Sequence, residues 1–123
     1  NISTNDIDLI CAHGTGTQMN DKTESSVIID IFGKKGKTIP VNSIKSMLGH
    51  TMGAASALEA ISCILSIYSN KIAPTINYET PDEECPINCV PNKMIEKKVD
   101  IALNNSFAFG GNNASTIFSS FSH

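Results

Sequence analysis

Two spacings of apolar residues alternate along the chain and predict its elements. Asp6–Ala12 is a short, nearly uniform apolar run, the pattern of a strand covered on both faces. After a glycine-rich turn, Asp21-Lys-Thr-Glu24 reads as a helix N-cap with a capping-box glutamate at its third position. Val27, Ile28, Ile31 and Phe32 supply the stripe this helix would bury, and Gly33 to Lys37 closes it with lysines where the helix dipole favours cations. Ile39–Ile44 is a second strand. Helical spacing returns at Ala54, Ala57, Leu58, Ile61, Leu65 and Tyr68. The other side of that helix carries only Ala55, Ser56, Ala60 and Cys63, so burial on most sides is expected. Ile72–Met94 holds four of the five prolines and the acidic Asp82, Glu83 and Glu84, an ordered loop with room for a short strand. Val99–Ser106 and Ala114–Phe121 are the last strand candidates. The order β-α-β-α-loop-β-β predicts an α/β fold around buried parallel strands.

Composition narrows the function classes. The 123 residues fit one compact domain or a piece of a larger one. The first residue is Asn1, which suggests a mature form or an excised piece. Nine basic residues against twelve acidic, with no basic tract, give no sign of a nucleic-acid partner. Every basic residue is a lysine, so an anion site must use Lys, His, hydroxyls or backbone N–H groups. No apolar run approaches membrane-spanning length, and there is no signal-peptide pattern, so no membrane partner is expected. Cysteines 11, 63, 85 and 89 show no framework spacing, which points to a reduced compartment. Cys85 and Cys89 have neither a second pair nor a nearby histidine, so no metal is expected.

Three loops concentrate the chemistry: His13-Gly-Thr-Gly-Thr17, Lys45 to His50, and Phe107 to Asn113. Each follows a predicted strand, so all three would emerge at one end of one sheet, where α/β proteins place ligands. Singly, each has a structural reading. A lone histidine after a strand is usually a hydrogen-bonded structural residue, and Glu24 is simply a cap. Gly14-Thr15-Gly16 lacks the Gly-Lys-Ser/Thr ending of a phosphate loop, and Gly110-Gly111 is an ordinary turn. Together they read differently. Two neutral imidazoles on neighbouring strand ends would donate two Nε2–H bonds to one developing oxyanion, with each other nitrogen accepting from backbone.

At these residues the chain resembles a known family. His13-Gly-Thr-Gly-Thr with Asp21 and Glu24, Lys45-Ser-Met-Leu-Gly-His-Thr-Met-Gly-Ala-Ala, and Asn105-Ser-Phe-Ala-Phe-Gly-Gly-Asn-Asn are similar to three signature blocks of the β-ketoacyl-acyl-carrier-protein synthases, most of all the discrete type II synthases I/II. The resemblance implies a thiolase-like fold of five layers, α-β-α-β-α, of which residues 1–123 would form most of the C-terminal half-domain. The N-terminal half, with the family's nucleophilic cysteine, is absent. Cys11 stands where the family more often has Glu or Asn and is expected to be a small buried residue.

By this resemblance His13 and His50 complete a Cys-His-His triad, bind the malonyl thioester carbonyl and support its decarboxylation. Lys45 would orient the site through a buried contact with Glu24. Thr15 and Thr17 would contact the phosphopantetheine arm, which the acyl carrier protein brings, so no cofactor of the enzyme itself is implied. Phe109 is similar to the family's gating phenylalanine, with its N–H in the acyl oxyanion hole and Gly110 and Gly111 permitting the close approach. Ala108 replaces the usual glycine and would stiffen that loop. The implied activity is that of an acyltransferase of fatty acid biosynthesis acting on malonyl-acyl-carrier protein. The implied partners are acyl carrier protein, the N-terminal half and a second copy of the full-length protein in a homodimer, in cytoplasm, plastid or mitochondrion. Alone, the fragment would be inactive and would self-associate through its uncovered apolar face. The alternative is a non-catalytic, chain-length-factor-like partner of a polyketide synthase, against which the retention of His13, Lys45 and His50 weighs. A ketosynthase domain of a multifunctional synthase is disfavoured, since such domains more often read Asn-Ile-Gly-His at the second block.

Overall fold

The computed structural model describes residues 1–121. Its elements are β1 (Leu9–Cys11), α1 (Gln18–Phe32), β2 (Pro40–Asn42), the single-turn α2 (Lys45–Leu48), α3 (Ala55–Ser69), β3 (Lys71–Ile72), β4 (Asn88–Cys89), β5 (Ile95–Glu96), β6 (Ile101–Ser106) and β7 (Ala114–Ser119). The main sheet runs β4-β2-β1-β6-β7, and β3 and β5 form a separate two-stranded ribbon. β1 pairs in parallel with β2 and β6, β2 pairs in parallel with β4, and β7 returns antiparallel along β6. The expected α/β architecture with a buried parallel centre is present.

Because side chains alternate along a strand, β1 feeds two cores. Leu9 and Cys11 pack with Cys63, Ile72, Val90 and Ala102 on the α3 face. Ile10 packs with Ile28, Ile39 and Val41 on the α1 face. The chain is therefore an α-β-α sandwich, with the ends of β1, β2 and β6 opening at one edge.

Several boundaries and faces differ from the sequence expectation. α1 starts at Gln18, capped by Thr17, whose hydroxyl accepts the Asn20 N–H at 3.4 Å. Thr17 is the last extended residue (φ −92°, ψ 140°), so Asp21 falls inside the first turn and Glu24 is not part of a capping box. The buried face of α1 is Glu24, Ser25 and Ile28, while Val27 and Ile31 are 42% and 60% exposed. The turn that carries Lys45 is itself a turn of helix.

The largest departure is at α3. Ala55, Glu59, Cys63 and Ser66 face the sheet. Small residues there let the helix axis approach the strands closely, and the bulky residues are left outside. Ile61, Ile64, Leu65 and Tyr68 are exposed, so this helix is not buried on most sides within the chain. With Ile44, Met47 and Met94, this side lines an open apolar groove of about 470 Å³. The segment Met52–Ser69, with a mean hydropathy of 1.4, is long and apolar enough by length and composition to cross a membrane, contrary to the sequence expectation. Its sheet-facing side carries the buried, ion-paired Glu59, the mark of a helix packed on protein.

Candidate functional site

The site is assembled at the carboxyl ends of β1 and β2 and the start of the loop after β6. His13 is 7% exposed, and its ring lies 5.6 Å from that of His50 in an edge-on arrangement. The Phe107 ring, at the end of β6, packs against His13 from another side at 5.5 Å. Lys45 reaches His13 from α2. Its Nζ donates to the His13 carbonyl and lies 3.4 Å from His13 Nδ1. An ammonium facing Nδ1 leaves the neutral His13 ring with its proton on Nε2. Burial first, then the neighbouring Lys45 and His50, holds the His13 pKa down at about 4. The ring is therefore neutral at physiological pH.

His50 lies on the exposed stretch after α2, and its Nδ1 accepts the Met52 backbone N–H at 3.2 Å. That bond selects the same tautomer, Nε2–H. Both imidazoles thus present a donor; the backbone partner expected at the second nitrogen is found for His50, whereas at His13 the Lys45 side chain takes that place.

Lys45 does not contact Glu24. Its carboxylate partner is Glu59 of α3, which is 1% exposed and also receives the Ser106 hydroxyl at 3.4 Å. Burial pushes the Glu59 carboxyl up, and the Lys45 ammonium pulls it back. Glu24 instead accepts the backbone N–H groups of His13 and Gly14, both at 2.9 Å, and the Asn105 amide at 3.3 Å. It holds the glycine-rich turn in place from beneath, and burial raises its pKa above the usual carboxylate range despite these donors. Sequence reading missed Glu59, Asn105 and Ser106. The signal for Glu59 was there: it is the one charged residue of α3.

Gly14 needs to be glycine. Its φ is +43°, and an added Cβ would sit 2.5 Å from Ser43 Cβ. The close approach is sealed by the Ser43 hydroxyl, which donates to the Gly14 carbonyl at 2.6 Å. The loops after β1 and β2 are thereby locked to each other, and with them the two histidines.

Thr15 and Thr17 share a hydroxyl–hydroxyl bond of 2.9 Å at the rim. Phe109 is fully exposed, on a short turn in which Gly110 and Gly111 have φ of 81° and 79°. The structure brings His13, Lys45 and His50 together and leaves Phe109 pointing to solvent, with Phe107 making the ring contact. Ala108 is extended at φ −136°, a conformation any residue adopts, so the alanine sits there without strain. Cys11 is fully buried, and its thiol pKa is raised well above the ordinary value by a hydrogen bond with Cys63 and by burial, so it is no nucleophile. Among the described residues no group of three or more His, Cys, Asp or Glu is arranged to hold a metal ion.

Residues 1–79 match the model of the β-ketoacyl synthase C-terminal domain. The chain belongs to the β-ketoacyl synthase family. It is 44% identical over 117 residues to nodulation protein E of Rhizobium sp. (strain N33), covering 95% of this chain and 29% of that protein. It is 45% identical over 113 residues to 3-oxoacyl-[acyl-carrier-protein] synthase 2 of Coxiella burnetii, covering 92% of this chain and 27% of that one. Among solved structures, the ishigamide ketosynthase/chain length factor superposes with a TM-score of 0.95 at 50% identity, covering 98% of this chain and 30% of the other. The fold is thus the thiolase-like fold of the ketosynthases. The chain spans under a third of the length of the curated relatives it matches.

Proposed function

We propose that this chain supplies the decarboxylating half of a condensing enzyme that extends an acyl chain by two carbons. The observation that carries the reading is the pair of imidazoles with ring centroids 5.6 Å apart, each with a nitrogen donor group set against its Nδ1. The two Nε2–H donors would bind the thioester carbonyl oxygen of a malonyl group. As the terminal carboxylate leaves as CO₂, its electron pair moves to the α-carbon, and negative charge grows on that carbonyl oxygen. Fixed donors aimed at growing charge stabilise it without reorganising, and loss of one typically costs 100-fold or more in rate. A neutral ring suits this role better than an imidazolium, which would bind the departing carboxylate as firmly as the enolate. The low pKa of His13 supports the neutral form. The carbanion then attacks an acyl thioester on a cysteine in the half of the enzyme that this chain does not contain, and the β-ketoacyl product is released on acyl carrier protein.

Fatty acid elongation on acyl carrier protein is the first reading, supported by the name of the Coxiella relative. The second is a polyketide system, in which this chain would belong to a ketosynthase or to its non-catalytic partner. The 50% identity to a ketosynthase/chain length factor structure favours it. In the first reading the partners are acyl carrier protein, the complementary N-terminal half and a second copy of the intact protein; in the second, a ketosynthase or chain length factor takes the place of the second copy.

Mass spectrometry of the full-length protein after incubation with an acyl-carrier thioester separates a condensing enzyme from a non-catalytic partner. An acyl mass on a cysteine outside residues 1–123 establishes the condensing enzyme. No adduct, with carrier still bound, leaves the non-catalytic partner. In the same protein, His13→Ala and His50→Ala are each expected to reduce malonyl decarboxylation about 100-fold or more while acyl transfer to cysteine survives in part. Near wild-type condensation by both variants overturns the assignment.

A further inference from the structure

The single-turn α2 has little of its own to hold it. Four residues fix their dihedral angles for very few helical bonds. The N-cap is Ile44, whose side chain offers no acceptor to the first N–H groups, and the Ser46 N–H lies a long 3.4 Å from the Ser43 carbonyl. Yet this turn carries Lys45, whose ammonium faces His13 Nδ1.

The support comes from the start of the long loop after β3. Asn42 of β2 donates its side-chain amide to the Ala73 carbonyl at 2.8 Å. One residue on, the Ser43 N–H donates to the Thr75 hydroxyl at 2.9 Å. In return the Ile76 N–H donates to the Ser46 hydroxyl at 2.9 Å, and that hydroxyl donates to the Ser43 carbonyl at 2.9 Å. Each segment thus gives a backbone N–H to a hydroxyl of the other. The loop is anchored in its turn. The Thr75 N–H donates to the Val90 carbonyl and the Thr75 carbonyl accepts the Asn92 N–H, both at 2.8 Å. The Val90 N–H then returns to the Val41 carbonyl of β2 at 2.9 Å. The circuit closes on the sheet, so α2 is held against a fixed support.

We propose that Thr75 and Ser46 are positioning residues: their reciprocal hydroxyl bonds fix α2 against residues 73–76 and thereby set the Lys45 ammonium at His13 Nδ1. Both act through Lys45. The use of His13 as a donor rests on the function proposed above, whereas the placing of Lys45 does not.

The test is made in the intact protein, with ¹⁵N-histidine NMR across pH to follow the His13 ring and steady-state malonyl decarboxylation to follow its use. Burial is the first cause of the low His13 pKa; Lys45, His50 and Asp21 are the titratable groups that act on the ring, Lys45 foremost. An ammonium that leaves Nδ1 lets the titration midpoint rise from about 4 towards the ordinary 6.5. Thr75→Val keeps the shape of the side chain and removes the hydroxyl, whereas Thr75→Ser keeps the hydroxyl. For Thr75→Val the expected result is a raised midpoint and a fall of about tenfold in kcat with KM little changed. Thr75→Ser is expected to leave both near wild type. If Thr75→Val does not fold, Ser46→Ala opens the same latch from its other side, at a half-buried position, with the same expectation. A midpoint that stays at about 4 in every folded hydroxyl-free variant overturns the proposal whatever the melting temperature does, because a purely structural role lowers stability without moving the titration. A midpoint raised equally by Thr75→Ser overturns it too, since the hydroxyl is then not what places Lys45. A raised midpoint confined to the hydroxyl-free variants, with unchanged decarboxylation, upholds the positioning and overturns the part given to His13 in the reaction.

Discussion

The two histidines reach the same tautomer by different means. His13 is buried, and its Nδ1 faces a lysine side chain that is ion-paired deep in the core with Glu59. His50 is exposed, and its Nδ1 takes a backbone N–H two residues away. The first arrangement spends buried charge and ties the ring to a helix on the far side of the sheet. The second uses only local chain geometry. One donor thus depends on the assembled fold, and the other depends on a few dihedral angles.

That contrast breaks most sharply at Lys45. Lys45→Met removes the donor to His13 and leaves Glu59 buried without its partner, and breaking a buried pair typically costs about 3–5 kcal/mol. Urea denaturation of the intact protein should show a loss of that order, with the His50 tautomer untouched. Adding Glu59→Leu should recover most of the stability, since no charge is then stranded, but not the fixed tautomer of His13.

A smaller effect comes from the clamp between the loops. Gly14→Ala places a Cβ 2.5 Å from that of Ser43 at a φ of +43°, and the expected cost is about 1–3 kcal/mol. Because the Gly14 N–H also bonds Glu24, the shift should pass to His13 before it reaches His50. Thermal melts with ¹⁵N-histidine spectra would show whether the His13 signals move first.

A third effect, of similar size, is the dependence on pH. His13 titrates at about 4 in the folded chain against an ordinary 6.5. Between those values the unfolded chain binds a proton that the folded one does not. Its contribution is therefore complete above pH 6.5 and is lost as pH falls towards 4. His13→Gln should flatten the difference in urea midpoint between pH 7 and pH 4.5 relative to wild type. An identical slope in both proteins would mean that the ring is not held neutral.

Much of this was legible along the chain because it is local. Uniform apolar runs placed β1 and β2, and the three loops after β1, β2 and β6 do lie at one edge because those strands are parallel. Both imidazoles were expected to present Nε2–H. The partner of Lys45 was marked only by being the one charged residue of α3. Glu24 was the nearest acidic candidate in a motif, but its carboxylate is taken up by the His13 and Gly14 amides.

The sequence by itself determined the strand-to-loop placement of His13, Lys45 and His50, since apolar period and glycine turns act over a few residues. Only the tertiary structure decided which side of α3 meets the sheet. Periodicity marks an apolar stripe but not its partner, and close packing on the strands selected the side with small residues and Glu59. That choice gave Lys45 its counter-ion and left Ile61, Leu65 and Tyr68 facing outward.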